Sequence, residues 1–482
     1  MRILLAVPEA SPFIKTCGLA DFAGKLSLHI RRTGHDIRVI LPLYQDIAAQ
    51  WRRGMKKIIS KSISLSWRQV YCGIYEFQLN DVIYYFVENE YYFNRRGLYG
   101  YRDDAERFAF FSRAVTEFAV RHDWQPDIVH ANDWQTALIP VYLAERKNRD
   151  PHHPPVRCIF TVHNIDVQGR FSRNLLEDVF GLHPVWYDNG TLEFMEHLSL
   201  MKGALLTSDH STTTSPTYAE ELAYPFFSKG LEETFRSVSG RFTGIMNGID
   251  TSRYDPASDP AVRYPYTYMT VNERRKNKLY LQRMLRLKED PDIPIVAFVG
   301  KLIDENGAGL MLSAFDRMME LDAQYMICGK GDFEYERFFR SAMERNKGRV
   351  FFSDNLDDSL TRLIYAGADI FLRPSLKEPC GHRHMAAMRY GMVPVVRDTG
   401  GLRDAVAANG GDKRGFLFSD FTADHMAGSL RESIALYKGN PDVWTDMVRR
   451  NMQIDFGWEK TAESYIDLYS KVCREIDLER VK

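Results

Sequence analysis

Short apolar runs separated by longer amphipathic stretches recur along nearly the whole chain, and this alternation restricts the fold more than any other feature. Runs of that length bounded by turn residues read as strands buried on both faces, with the amphipathic stretches supplying the helices that cover them. Positions 2–7, 36–41, 127–130, 158–162 and 211–214 make one series, and 293–299, 324–328, 350–352, 369–372 and 393–396 make a second. Between the two lies Asp255-Pro256-Ala257-Ser258-Asp259-Pro260, followed by a basic, tyrosine-rich stretch to Arg286 that reads as a linker and the first helix of the second unit. The expected fold class is α/β, with two doubly wound Rossmann-like domains at 1–250 and 251–455. Ligands of such sheets sit at the carboxyl ends of the strands, so the functional residues should gather in the cleft between the domains.

Length supports two cores, since 482 residues exceed what a single core usually serves. A net charge of −1 with both signs mixed argues against a nucleic-acid partner, whose footprint is a basic face. The N-terminal run Ile3-Leu4-Leu5-Ala6-Val7 is too short for a signal peptide and meets Glu9 at once. No run of 18 apolar residues exists, so no membrane span is expected. Six cysteines, at 17, 72, 158, 328, 380 and 473, form no CxxC pair, a pattern that fits reduced thiols in a cytoplasmic protein and argues against zinc.

Several polar clusters close apolar runs, where chemistry is expected. After Asp369-Ile370-Phe371-Leu372-Arg373-Pro374 comes Glu378-Pro379-Cys380-Gly381-His382-Arg383-His384. A carboxylate at that turn can accept hydrogen bonds from sugar hydroxyls, while the N–H groups of Cys380, Gly381, His382 and Arg383 open a helix and face an anion. Near the N-terminus, Lys15 and Gly18 with Asp21 form a second helix-opening loop, although neither the dinucleotide nor the Walker spacing is present. His130-Ala131-Asn132-Asp133-Trp134-Gln135 and Thr161-Val162-His163-Asn164 each end a strand in polar residues. Asp133 and Trp134 suit a sugar, because a carboxylate binds paired hydroxyls and an indole face covers the apolar side of a pyranose. A lone histidine at a strand end is more often structural, and the tyrosines of Tyr91-Tyr92-Phe93-Asn94-Arg95-Arg96-Gly97-Leu98-Tyr99-Gly100 serve equally well as packing or as stacking platforms.

Together these segments, with Arg389-Tyr390-Gly391, Thr399-Gly400-Gly401-Leu402, Asn247-Gly248-Ile249-Asp250 and the closing Phe456-Gly457-Trp458-Glu459-Lys460, resemble bacterial glycogen synthases and plant starch synthases over essentially the full chain. The resemblance implies a GT-B fold with a deep interdomain cleft and a last helix, within 456–482, crossing back to the first domain. It implies retaining transfer of glucose from ADP-glucose to the non-reducing end of an α-1,4-glucan, with no metal and no cofactor beyond the sugar nucleotide. In that family pattern Glu378 and His163 orient the glucosyl unit. The N–H groups after Cys380 and Gly381 hold its hydroxyls or the outer phosphate, and Lys15, Lys301 and Arg383 face the diphosphate. Gly18, Asp21, Asp133, Trp134 and Asn247 line the cleft, and Tyr99 lies near the glucan acceptor.

The chain departs from this pattern at several charged or close-packed positions. Cys17 stands for a glycine, Lys301 for an arginine, Asn306 for a lysine and Leu356 for a tyrosine near the base, while His382-Arg383-His384 stands for Leu-Thr-Gln. Losing one partner of a buried charge pair costs roughly 2–5 kcal/mol, which is on the order of 30-fold to several thousand-fold in rate when it falls on the transition state. Arg383 is expected to compensate in part. Three readings follow: a working transferase with an altered diphosphate site, an inactive or weakly active paralogue that binds glucan or regulates a partner, and a related transferase using another donor such as UDP-glucose.

Overall fold

The computed structural model describes residues 1–150, 156–355, 357–407 and 413–479, so Leu356 lies outside the described residues. The chain divides into two compact units. One comprises Met1–Thr214, Ala219–Ile245 and the chain from Trp458 onward; the other comprises Ser215–Tyr218 and Met246–Gly457.

Among the described residues the first unit carries twelve strands: β1 (Arg2–Ala6), β2 (Asp36–Pro42), β3 (Lys56–Leu65), β4 (Arg68–Leu79), β5 (Val82–Glu88), β6 (Ile128–Asn132), β7 (Arg157–Val162), β8 (Arg170–Ser172), β9 (Glu193–Phe194), β10 (His197–Ser199), β11 (His210–Thr213) and β12 (Phe242–Gly244). Nine of them form one sheet in the order β12-β11-β7-β6-β1-β2-β5-β4-β3, and β8, β10 and β9 form a small separate sheet. Pairing is parallel from β12 across to β5. Beyond β5 the sheet continues as an antiparallel meander, β5-β4-β3. That meander escapes a search for continuous apolar runs because its outer strand, Lys56–Leu65, is largely exposed and alternates polar with apolar residues. Strand order reverses at β1, which has β2 on one side and β6 on the other. Such a reversal opens a crevice at the carboxyl ends of the two central strands, here just beyond Ala6 and Asn132.

The core of this unit is held partly by the last helix, Trp458–Glu479. Trp458, Tyr465 and Tyr469 are buried, and the rings of Trp458 and Tyr465 pack edgewise on Phe22 of the helix Gly18–Arg32. His130, fully buried on β6, commits both ring nitrogens there: Nδ1 meets the Tyr469 hydroxyl at 2.8 Å and Nε2 meets Thr161 Oγ1 at 2.6 Å. This histidine is therefore structural.

The second unit contains β13 (Ile295–Val299), β14 (Gln324–Cys328), β15 (Val350–Ser353), β16 (Ile370–Arg373), β17 (Val393–Arg397) and β18 (Phe416–Phe418). They form one sheet in the order β15-β14-β13-β16-β17-β18, parallel throughout. The reversal lies between β13 and β16, so the crevice opens beyond Val299 and Arg373. β13, β14 and β16 are buried along their whole length, as strands with helices on both faces must be. Every strand expected from the apolar runs is present in one of the two sheets.

Burial holds His130 neutral, lowering its pKa from 6.5 to about 3. Because the folded value lies below the unfolded one, its neutral-state stability is present above pH 6.5 and is withdrawn as pH falls toward 3. Tyr469→Phe leaves Nδ1 without a partner in an apolar setting, and guanidinium unfolding at pH 7.5 should show a loss of about 1–3 kcal/mol.

Candidate active site

At the crevice of the first sheet the chain leaves β1 and turns inward at Glu9, a fully buried carboxylate. It accepts four hydrogen bonds from the loop that opens the helix Gly18–Arg32: Thr16 N at 2.6 Å, Thr16 Oγ1 at 2.8 Å, Cys17 N at 3.2 Å and Cys17 Sγ at 2.7 Å. The loop is thus wrapped around a buried acceptor. Cys17 has φ −144° and ψ −172°, extended backbone that any residue adopts, so its replacement of a glycine brings no strain. Cys17 as a whole is exposed, but its sulfur is turned onto Glu9, and the shielding of that sulfur together with the Glu9 charge pushes the thiol up to about 12, so it stays protonated. Lys15 and Asp21 make a half-exposed ion pair at 2.5 Å across the same loop.

Beyond β6 stands Asp133, whose φ of +56° with ψ of 177° is a strained conformation ordinarily left to glycine. Its Oδ1 accepts the backbone N–H groups of His163 at 2.7 Å and Asn164 at 3.3 Å, which ties the end of β7 to the end of β6. Burial, reinforced by the Glu9 charge, raises the Asp133 carboxyl from 3.8 to about 7. His163 meets Asn132 Oδ1 through Nε2 at 2.9 Å. The Asn132 amide donates to the carbonyls of Ala6 and His130, so Oδ1 is its acceptor end and His163 carries its proton on Nε2. The Phe22 ring, 4.6 Å away, completes the seat of His163.

The aromatic residues divide. Trp134 is 8% exposed, packed on Phe108 and Phe171 at 5.1 and 5.7 Å; its indole is occupied by the core of the unit rather than open to a sugar. Tyr99 is half-buried, and burial, with Tyr44, Glu9, Cys17 and Asp133 nearby, keeps its hydroxyl protonated well above the usual range. Tyr91 is the open one, 69% exposed, with the Arg95 guanidinium 5.0 Å from its ring centre.

In the second sheet the loops leaving β13 and β16 meet at a second carboxylate. Glu378 Oε2 accepts from Arg373 Nε at 2.9 Å and Ser375 Oγ at 3.1 Å. Burial opposes its charge most strongly of any single cause, but the Arg373 guanidinium, His384 and the Ser375 hydroxyl together outweigh it and hold the carboxyl below its ordinary range. Arg373 Nη2 also reaches Asn306 Oδ1 at 2.9 Å, and Asn306 Nδ2 donates to the Lys301 carbonyl at 2.9 Å. The Lys301 side chain is exposed.

Gly381 follows with φ +81°, and a Cβ there would lie 2.4 Å from the His384 ring, so glycine is required on both counts. It opens the helix His382–Arg389. His384 is buried and held neutral, its pKa lowered to about 3 by burial. Cys380 is buried beside Asn247, which belongs to this second unit; burial and the Glu378 charge push its thiol up to about 12, which removes it as a nucleophile. The Arg383 guanidinium lies against the buried Tyr365 hydroxyl.

Sequence reasoning missed Glu9 and Arg373. Both carried a readable signal, a charged residue closing an otherwise apolar run: a charge in that place is buried and must be paired. Among the described residues no group of three or more His, Cys, Asp or Glu could hold a metal ion, and no helix is long and apolar enough to cross a membrane.

Two Rossmann-like units, each with a carboxylate at its sheet reversal, have the arrangement of the GT-B glycosyltransferases, to which the match below assigns the chain. Residues 2–237 match the starch synthase catalytic domain model and residues 284–441 match glycosyl transferases group 1. A glycogen synthase of Desulforamulus reducens is 41% identical over 98% of this chain and 99% of its own length. One from Geobacillus thermodenitrificans is 40% identical over 98% of each. The catalytic domain of starch synthase IV from Arabidopsis thaliana, solved bound to ADP and acarbose, superposes with a TM-score of 0.85 at 30% identity, covering 98% of this chain and 99% of that one. The chain belongs to the glycogen synthase family, and it is a hexosyltransferase of the glycogen/starch synthase type.

The raised Asp133 carboxyl gives a signed test. Ionising it in the fold is unfavourable, so the stability it supplies is present below about pH 4 and is lost as pH rises through 7. Asp133→Asn keeps the acceptor for His163 and Asn164 but cannot ionise. It should match the wild type at pH 4 and exceed it at pH 8, by no more than about 4 kcal/mol, read by chemical denaturation at the two pH values.

Proposed function

We propose that this transferase moves glucose from ADP-glucose to the non-reducing end of an α-1,4-glucan, with retention of anomeric configuration. The observation that carries the reading is Glu378. It is a largely buried carboxylate kept ionised by Arg373 and fixed by Ser375 at the reversal of the second sheet, directly ahead of a helix start. Such a group orients a glucosyl ring by accepting from paired hydroxyls, while the N–H groups after Gly381 face the outer phosphate. The ADP and acarbose of the starch synthase IV structure support an adenine nucleotide donor and a glucan-like acceptor for this chain as well.

In the reaction the acceptor oxygen forms a bond to the anomeric carbon as the bond from that carbon to the phosphate breaks. The departing diphosphate oxygen takes the acceptor proton, and ADP leaves. This front-face route suits the site, because the one carboxylate beside the helix start is already committed to Arg373 and Ser375. His163, its proton fixed on Nε2 by Asn132, serves the glucosyl unit, and Asp133 serves sugar hydroxyls. Lys15, Lys301 and Arg383 supply positive charge for the diphosphate. No cofactor other than the donor enters this scheme, and a nucleotide-sugar reaction of this kind fits the cytoplasm.

The test is incorporation of labelled glucose into glycogen from ADP-glucose and, separately, from UDP-glucose. The expected result is faster transfer from ADP-glucose, with Glu378→Ala lowering kcat by about a hundredfold or more. Faster transfer from UDP-glucose would replace the donor in this reading, and no transfer from either would leave a glucan-binding protein that kept the fold.

A further inference from the structure

We propose that Arg373 adds a cation to those that meet the donor's diphosphate in this chain, in place of the charge that position 306 lacks. The assignment rests on the nucleotide-sugar reading above.

Arg373 ends β16 at the reversal of the second sheet and is 8% exposed. Its guanidinium is hydrogen-bonded on two sides and unpartnered on the third. Nε donates to Glu378 and Nη2 to Asn306, each at 2.9 Å, while Nη1 is buried without any hydrogen-bond partner. That nitrogen lies against Gly300, where a Cβ would come within 2.4 Å of it, so the first residue beyond β13 is small enough to admit the guanidinium. A desolvated N–H donor with no acceptor is unfavourable until an acceptor arrives. A guanidinium N–H makes its strongest hydrogen bonds to anionic oxygens, and with a neutral amide at Asn306 the Arg373 charge is opposed, among the described residues, by Glu378 alone.

Position 306 fits the same account. Asn306 Oδ1 accepts from Arg373, which a lysine there could not do; a lysine would instead set two cations side by side. Residues 306 and 373 therefore work as a pair that carries one positive charge, placed here on 373. Arginine suits the arrangement because its fork holds the carboxylate and the amide with two nitrogens and still offers the third.

The experiment measures binding of ADP, UDP and glycogen to the full chain by calorimetry. For Arg373→Met, ADP affinity should fall by about 30-fold or more, as loss of a buried charge contact does, with glycogen affinity retained as the control for folding. Adding Asn306→Lys to that variant should restore about tenfold or more. Undiminished ADP binding by Arg373→Met, or no recovery in the double variant, would overturn the assignment and leave Arg373 as the group that positions Glu378. Should the methionine variant fail to fold, Arg373→Lys carries the test: it keeps a cation beside Glu378 but gives up the fork. Weaker ADP binding by about tenfold supports the assignment, and unchanged binding overturns it. The two readings separate cleanly. A wild type that binds ADP but transfers no glucose removes the proposed reaction and leaves this assignment to be judged on binding alone. A wild type that binds neither ADP nor UDP removes both.

Discussion

A carboxylate buried at the point where a parallel sheet reverses its strand order has to be satisfied by whatever lies around it, and both units of this protein are organised by that requirement. Removing a carboxylate from water is tolerable only when it is paired or well hydrogen-bonded. Glu9 meets the demand with donors from one loop, two backbone N–H groups, a hydroxyl and a thiol. Glu378 meets it with a guanidinium and a hydroxyl. In each case the loop geometry follows from the carboxylate, and the helix that starts beyond the loop is aimed by it.

The two solutions have different chemical characters. Around Glu9 the donors are neutral, so its negative charge remains and is felt by its neighbours: it adds to burial in raising the Asp133 carboxyl and the Cys17 thiol. Around Glu378 the donor is a cation, and the carboxyl is held ionised instead. One cluster thus favours protonated groups that can donate to a sugar as well as accept from it, whereas the other presents a permanent acceptor next to a permanent positive charge. A transferase that must hold hydroxyls and release an anion has use for both.

The sheets were legible from sequence because strands buried on both faces leave unbroken apolar runs, as in Ile295–Val299 and Ile370–Arg373. The hairpin of Lys56–Leu65 and Arg68–Leu79 was not, since a strand exposed on one face alternates and its polar residues hide it. At the site, Asp133, His163 and Glu378 announced themselves as polar residues at strand ends. Trp134 misled because its position beside Asp133 says nothing about which way the indole packs, and the rings of Phe108 and Phe171 decide that from elsewhere in the chain. Substitutions that looked damaging singly were harder still. Cys17 brings no backbone strain once its backbone is seen to be extended, and Asn306 is intelligible only beside Arg373, 67 residues further along. A pairwise replacement of that kind cannot be read from either position alone.

The return of the last helix to the first unit has a consequence for how the chain is made. His130 and Phe22 find their partners Tyr469, Tyr465 and Trp458 only after the whole intervening second unit has left the ribosome. Emerging first ordinarily lets an N-terminal domain fold first, yet here the unit that begins synthesis is the one completed last. Until then it carries an open apolar face and a buried-to-be histidine without its tyrosine, while every residue of the second sheet is already at hand. The order of translation and the order of completion therefore run in opposite directions along this chain.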